Sequence, residues 1–114
     1  MTRLLEIAPA FAVRDLEAMC EFYGKLLGLE PTYKTDVYAV LRNGSVQLHL
    51  YPQRDGMNAG QGSAYVFVEG VDDVYATAQD IAQVIHPLKN QEYGLRDFLM
   101  QDPEGNRVGI AQRL

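Results

Sequence analysis

The sequence contains two copies of one pattern, and this repeat limits the fold more than any other feature. The segments FAVRDLEAMCEFY and VFVEGVDDVYATA each combine an apolar run, an acidic residue and an apolar stripe with helical spacing. The segments YAVLRNGSVQLHL and FLMQDPEGNRVGI each combine two apolar runs around a turn sequence. Val13 and Val68 are equivalent and lie 55 residues apart in a chain of 114. The pattern predicts an α+β fold of two β-α-β-β-β modules, the alternative being one α+β sandwich without repetition.

The first half begins with an apolar segment and continues into a helix. Leu4–Val13 is apolar without helical spacing, and Pro9 within it favours an edge strand or a strand that leaves its own sheet. Asp15 is a suitable N-cap and Gly28 a suitable C-terminal stop. The apolar stripe between them consists of Leu16, Met19, Cys20, Tyr23, Leu26 and Leu27. We predict that this helix packs on a core, with Cys20 acting as a small apolar residue.

Three strands follow the first helix, and the second half repeats the order. The predicted strands are Pro31–Lys34, Val37–Arg42 and Val46–Tyr51, with a hairpin turn at Asn43-Gly44. In the second half, Ala64–Glu69 is a strand and Asp72 caps a helix that Pro87 ends. Its stripe is Val71, Val74, Tyr75, Ala78, Ile81, Ala82 and Ile85. Gly94–Gln101 and Arg107–Gln112 are strands around the turn Asp102–Asn106.

These patterns predict a single domain over residues 1–114. The first module covers about 4–52, a glycine-rich linker about 53–63, and the second module about 64–112. Each module offers one sheet face to its helix and leaves the other free. We expect the free faces to form curved sheets around a cleft, which a second copy of so small a chain would complete.

Composition excludes several classes of function. Fifteen acidic and ten basic residues give a net charge of −5, which disfavours nucleic acid as a partner and suits a cationic ligand. The single cysteine fits a reducing compartment. No apolar stretch reaches the ~18 residues that a membrane-spanning helix needs. We therefore expect a cytoplasmic protein with no membrane partner.

Three segments resemble a known family. RDLEAMCEFYGKLLGLE, AYVFVEGVDDVYA and YGLRDFLMQDPEGNRVGI are similar, in this order, to motifs of the vicinal-oxygen-chelate superfamily, which includes glyoxalases, extradiol dioxygenases and bleomycin resistance proteins. The likeness extends from about Ile7 to Gln112. The short length and the Y-G-L-R-D-F segment most resemble the bleomycin-resistance branch. This resemblance implies an antibiotic-binding homodimer that exchanges its N-terminal strand, which Pro9 would suit.

The resemblance also bears on metal binding. Enzymes of the superfamily hold a divalent metal with His and Glu side chains, one from each of four strands. The corresponding positions here are Ala8, His49, Tyr65 and Gly109. One ligand does not hold a metal, so we predict no metal, no other cofactor and no catalytic residue. His49 either lines the cleft or lies in the core, and His86 matches no ligand position and is expected at the surface.

Without a metal, the cleft would be a binding pocket rich in tyrosine. The candidate ligand-binding residues are Tyr33, Tyr38, His49, Tyr51, Tyr65 and Tyr93. Aromatic faces stack on planar rings and attract cations. Each tyrosine has the alternative of being a half-buried sheet residue, and Tyr23 and Tyr75 lie on helix stripes and are assigned to the core. Glu30, Asp36 and Asp55 are candidate acids for a ligand cation or simply solvated, and Arg96 and Asp97 are expected to be structural.

The predicted function is non-enzymatic binding and sequestration of a small planar or cationic antibiotic-like molecule, possibly bleomycin-like, in a dimer cleft. One alternative is a metal-dependent lyase, isomerase or dioxygenase with an unrecognised ligand set. Another is a small-molecule carrier or sensor.

Overall fold

The computed structural model describes all 114 residues and contains two four-stranded sheets, each with one helix. The elements of the first half are β1 (Ala10–Val13), α1 (Leu16–Leu27), β2 (Glu30–Lys34), β3 (Ala39–Asn43) and β4 (Val46–Pro52). Those of the second half are β5 (Ser63–Phe67), α2 (Val71–Ile81), β6 (Gln83–Asn90), β7 (Leu95–Gln101) and β8 (Arg107–Arg113). Neither helix is long and apolar enough to cross a membrane.

The two halves have the same topology. The strand orders are β1-β4-β3-β2 in the first sheet and β5-β8-β7-β6 in the second. In each sheet the first strand pairs in parallel with the last strand of its half, and the other neighbours are antiparallel. The predicted α+β fold of two β-α-β-β-β units is therefore confirmed. β1 lies at a sheet edge, as Pro9 indicated, although the strand begins only at Ala10.

Helix α1 has the predicted ends and the predicted buried face. The Asp15 carboxylate accepts a hydrogen bond from the Ala18 N–H at 3.0 Å, and Gly28 adopts the left-handed conformation at φ 66°. Cys20 and Tyr23 are buried on the stripe, as expected. Phe22 is also buried, although it lies off the stripe, and its ring meets that of Tyr23 edge-on at 4.9 Å.

The N-terminal cap predicted for the second helix is wrong. The N-cap is Gly70 rather than Asp72, and its left-handed backbone at φ 83° carries no side chain that could cap the helix. The Gln112 side-chain oxygen accepts hydrogen bonds from the Gly70 and Val71 N–H groups at 2.8 and 3.0 Å. The cap thus comes from β8, some 40 residues further along the chain.

The end predicted for the second helix is also wrong. The helix stops at Ile81, and Ile85, His86 and Pro87 lie on β6. Pro87 is tolerated there because β6 is an edge strand whose pairing with β7 shifts register on both sides of His86. His86 is exposed, as expected, but on a strand.

The first hairpin turn lies one residue later than predicted. Asn43 pairs with Val46, so the turn residues are Gly44 and Ser45, and Gly44 has φ 60°. The Asn43 side chain instead donates to the Leu27 carbonyl at 3.0 Å, at the end of α1. The other predicted strands of the two sheets differ from the structure by at most two residues at either end.

One buried turn joins the two halves. The Asp102 carboxylate accepts hydrogen bonds from the Glu104 N–H, from both nitrogens of Asn106, and from the Tyr23 hydroxyl of α1 at 2.6 Å. Burial, together with the Asp102 charge and hydrogen bond, raises the pKa of the Tyr23 hydroxyl. Residues from both halves form one continuous core around this contact.

We predict that Tyr23→Phe destabilises the protein through this contact alone. The substitution keeps the buried ring and removes a hydrogen bond to a carboxylate, so the free energy of unfolding should fall by about 2 kcal/mol. Urea unfolding measures this loss. Tyr75→Phe is the matched control, because the Tyr75 ring packs on Phe98 without a protein partner for its hydroxyl, and it should change stability by less than ~0.5 kcal/mol. Equal losses in the two variants would contradict the role of the Tyr23 hydroxyl.

Candidate functional site

Each sheet turns one face toward the shared core and leaves the other, here called its open face, outside it. On β4, Leu48 and Leu50 are buried in the core, whereas the alternate residues His49 and Tyr51 lie on the open face. On β5, Tyr65 lies on the open face of the second sheet. The predicted ligand-binding residues therefore divide into two groups, one on each sheet, and the hydrogen bonds and aromatic contacts of the structure run within each group.

The open face of the first sheet carries a stacked pair of tyrosines and a short hydrogen-bonded chain. The rings of Tyr38 and Tyr51 stack with centroids 6.1 Å apart and planes at 8°. The Tyr38 hydroxyl lies 2.8 Å from His49 Nδ1, and His49 Nε2 lies 3.1 Å from the Gln47 side-chain oxygen. Because that oxygen only accepts, the two contacts match the imidazole tautomer in which Nε2 carries the proton and Nδ1 accepts from Tyr38. His49 thus lies on the open face, outside the core.

Two further features complete this face. Tyr33 is exposed and shares a row across the strands with Val40 and His49. The Arg54 guanidinium, from the loop after β4, lies over the Tyr51 ring at 5.3 Å from its centroid. The open face of the first sheet thus carries two parallel aromatic rings and one guanidinium.

The open face of the second sheet is organised around Asp97. The hydroxyls of Tyr65 and Tyr93 both donate to Asp97 Oδ2, the second at 2.6 Å, and the Gln91 amide donates to Oδ1 at 2.9 Å. The Asp97 residue is only 6% exposed, whereas Tyr65 and Tyr93 are 47% and 65% exposed. The buried carboxylate thus accepts hydrogen bonds from the hydroxyls of two tyrosines that are open to solvent.

The protonation of this cluster follows from its contacts. Burial raises the pKa of the Tyr65 hydroxyl, and its hydrogen bond to Asp97 raises it further. For Tyr93, the hydrogen bond to Asp97 is the main cause of a raised pKa. Burial works against ionisation of Asp97, but the three hydrogen bonds that it accepts outweigh burial and lower its pKa. The cluster is therefore one carboxylate with two neutral phenols.

A glycine makes room for the Tyr65 ring. Gly109 lies opposite Tyr65 on β8, and a Cβ atom at this position would overlap the ring. Phe67 meets Tyr65 edge-on at 5.4 Å, and the Arg113 guanidinium lies 4.1 Å from the centroid of the Phe67 ring. Tyr65 and Phe67 therefore form a continuous aromatic surface with a guanidinium at one end.

Sequence reasoning missed several of these residues. Phe67 could have been found from its alternation with Tyr65 on β5. Asp97 was expected to be structural, yet it lies at the centre of the aromatic cluster, whereas its neighbour Arg96 forms an ion pair with Asp72 at 2.7 Å. The candidate acids Glu30, Asp36 and Asp55 are exposed and contact none of the aromatic residues by hydrogen bond.

The metal-ligand positions do not fit a metal centre. The strand register places Ala10 opposite His49 and Tyr65 opposite Gly109, so the counterpart of Tyr65 in the first module is Ala10 rather than Ala8. Both are alanines, and only His49 among these positions has a metal-binding side chain. The chain contains no group of three or more His, Cys, Asp or Glu residues that could hold a metal ion.

An apolar pocket of about 320 Å³ lies between the two halves of the chain. It is lined by the N-terminal segment around Ile7, the start of β4, and β5 residues that include Tyr65 and Phe67. Within the same N-terminal segment, Leu4 and Ile7 are each 92% exposed, and Leu5 is also exposed. Exposed apolar side chains beside an apolar pocket are typical of a surface that another molecule covers.

Comparison with known proteins gives consistent matches. The family model of the glyoxalase/bleomycin resistance protein/dioxygenase superfamily matches residues 4–110. Bleomycin resistance proteins of Geobacillus stearothermophilus and Staphylococcus aureus are each 28% identical to this chain, over 97% of it and 98% of their own length. A bleomycin-binding protein complexed with bleomycin has a TM-score of 0.78 at 19% identity, covering 97% of this chain and all of the other. The bleomycin-binding protein of Streptomyces verticillus complexed with copper(II)-bleomycin has a TM-score of 0.77 at 24% identity, covering 96% and 97%. These structures share the fold of this chain.

We predict that Asp97→Asn makes tyrosine ionise more readily. The substitution removes the negative charge and leaves a neutral, weaker acceptor, so it removes the part of the raised pKa values of Tyr65 and Tyr93 that is due to Asp97, and both values fall. At about pH 11, just above the ordinary tyrosine value, the variant should show more tyrosinate absorbance than the wild type. Asp72→Asn makes the same change at the exposed partner of Arg96 and should leave the titration unaltered. Identical curves for wild type and Asp97→Asn would contradict the bonding described for the cluster.

Proposed function

Because the chain belongs to the glyoxalase/bleomycin resistance protein/dioxygenase superfamily, we propose that it binds and sequesters a small planar or cationic molecule of the bleomycin type without transforming it. Its likeness to curated bleomycin resistance proteins agrees with the branch that the sequence motifs indicate. The observation that most supports the proposal is the exposed aromatic surface of Tyr65, Phe67 and Tyr93 beside the Asp97 carboxylate, since flat rings next to a negative charge would favour such a ligand.

The aromatic residues support binding of a planar group. Tyr65 and Tyr93 are about half exposed although they lie over a buried carboxylate, and their rings are free to contact a ligand. On the first sheet, the parallel stack of Tyr38 and Tyr51 offers a second flat surface. Planar heterocycles gain dispersion and quadrupole interactions on such rings. We include Tyr33 and His49 in the proposed site because they share the open face of the first sheet.

The charge distribution supports recognition of a cation. The chain carries a net charge of −5, and the Asp97 carboxylate lies at the hydroxyl ends of Tyr65 and Tyr93. Its negative charge adds to the attraction that the ring quadrupoles exert on a cation. The residues present do not fit a metal centre, so the proposed function involves binding alone.

We further propose that the working unit is a homodimer in which a second copy completes the cleft. The exposed apolar side chains of Leu4, Leu5 and Ile7, the last of which lines a pocket of about 320 Å³, support contact with another copy of the chain. Such a contact would remove from water the largest apolar side chains near the N-terminus. The N-terminal segment is then the part of the chain that is exchanged between copies.

The first test is binding of metal-free bleomycin. The protein has seven tyrosines and no tryptophan, so binding should quench tyrosine fluorescence and saturate at one ligand per cleft. Tyr65→Ala and Tyr93→Ala should each weaken binding by about 1–2 kcal/mol, as is usual for an aromatic anchor, while circular dichroism stays unchanged. Tyr33→Ala shows whether the first sheet takes part. Absence of binding at ~100 µM bleomycin would refute the assignment.

The second test is the oligomeric state. Sedimentation should give twice the chain mass of 12.8 kDa, and Ile7→Ser should shift the population toward the monomer because it removes apolar area from the interface. Leu114→Ser is the matched control, since Leu114 is an exposed apolar residue at the other end of the chain. A wild-type protein that sediments as a monomer throughout would exclude the dimer cleft.

A further inference from the structure

The hydroxyl protons of Tyr65 and Tyr93 have a fixed direction. A phenol has one proton to donate, and both protons point to the same oxygen of Asp97. An ionised carboxylate can only accept hydrogen bonds, so each phenol is the donor in its bond to Asp97. The other carboxylate oxygen accepts from Gln91 and helps to hold the group in place.

Each phenol oxygen therefore meets a ligand only as an acceptor. Its proton is already used, and only lone pairs remain on the side away from Asp97. A hydroxyl that donates to a charged acceptor also becomes a better acceptor itself, because hydrogen bonds in a chain polarise one another. Two such oxygens lie above one buried negative charge.

The same direction recurs on the first sheet. Tyr38 donates its proton to His49 Nδ1, and His49 in turn donates from Nε2 to Gln47. The Tyr38 oxygen is thus also left with acceptor capacity only. Three of the proposed ligand-binding tyrosines, on two different sheets, therefore share one hydrogen-bonding polarity. Each hydroxyl donates its proton to a protein group and leaves only its lone pairs for a ligand.

We propose that this polarity makes the site selective for ligand groups that donate hydrogen bonds. Protonated amines, guanidinium groups and amide N–H groups are of this kind. Asp97 is the positioning residue that sets the polarity of the Tyr65 and Tyr93 hydroxyls. Carboxylates and other anionic, acceptor-only groups are rejected because they would face phenol lone pairs over a negative charge. The inference rests on the proposed function in that the same aromatic surface contacts the ligand, and it adds the chemical class of the contacting group.

Two neighbouring cations bear on this selectivity. The Arg113 guanidinium already lies over the Phe67 ring, which is an internal example of the preferred contact. Lys89 lies opposite Asp97 on the neighbouring edge strand and is exposed. Both side chains reduce the net negative potential, so the selectivity depends on hydrogen-bond direction as well as on charge.

The experiment compares two probes with the same planar ring, 2-naphthylmethylammonium and 2-naphthoate, by chemical-shift titration of the labelled protein. The wild type should bind the ammonium at least about tenfold more tightly than the carboxylate, which is the effect of one charge-assisted contact. Asp97→Asn frees a tyrosine proton and removes the charge, so the ratio should fall to within about threefold. Asp72→Asn, with the same change of charge in the Arg96 ion pair, should keep the wild-type ratio.

Conservative variants keep the test valid if Asp97→Asn folds poorly. Tyr65→Phe and Tyr93→Phe retain the rings and remove one acceptor each, so each should weaken ammonium binding without weakening naphthoate binding. A purely structural role for Asp97 would lower both affinities together and leave their ratio constant. Equal affinities in the wild type, no ammonium binding, or an unchanged ratio in Asp97→Asn would each overturn the inference.

Bleomycin binding, measured on the same samples, separates this inference from the proposed function. If bleomycin binds but the two probes are not distinguished, the selectivity is wrong and the function stands. If bleomycin does not bind but the ammonium preference and its dependence on Asp97 remain, the function is wrong and the selectivity stands.

Discussion

The structure depends on the hydrogen bonds of the buried Asp102 carboxylate. Its two oxygens accept from the backbone and side chain of its own turn and from the Tyr23 hydroxyl on α1. A carboxylate is stable in the core only when its lone pairs are satisfied in this way. Asn106, which donates to Asp102, also accepts from the Gly62 N–H and so holds the loop before β5. One turn of the second module thereby fixes both the first helix and the connection between the modules.

A hydrogen bond from a tyrosine to a nearly buried carboxylate occurs at two places in the structure, with different consequences. Asp97, like Asp102, is a nearly buried carboxylate that accepts hydrogen bonds from tyrosine. Tyr23 is fully buried, so its hydroxyl makes its hydrogen bond inside the core and is not accessible to a ligand. Tyr65 lies half exposed, so the same kind of bond leaves a ring and a polarised oxygen facing solvent. Burial of the tyrosine ring, not the chemistry of the pair, separates a structural contact from a candidate binding contact.

The sequence predicted those parts of the fold that depend on neighbouring residues. The repeat, the two ends of α1 and the turn at Asp102 all follow from local caps, turn residues and apolar spacing. The end of α2 did not, because an apolar run that contains Ile85 and Pro87 fits a helix end and an edge strand equally well. The central place of Asp97 was also missed, since its contact with Tyr65 joins residues 32 positions apart. Hydrogen bonds over that separation leave no periodic signal.

The positions that correspond to metal ligands explain how this aromatic surface fits into the fold. Tyr65 occupies one of them, and its ring lies over Gly109, which occupies another. Any side chain at Gly109, and therefore any ligand residue, would overlap the ring. The two residues are thus coupled, because the position of the tyrosine ring requires a glycine opposite. The space above Gly109 is filled by a phenol that reaches Asp97, so any side chain at Gly109 would displace the ring from the carboxylate.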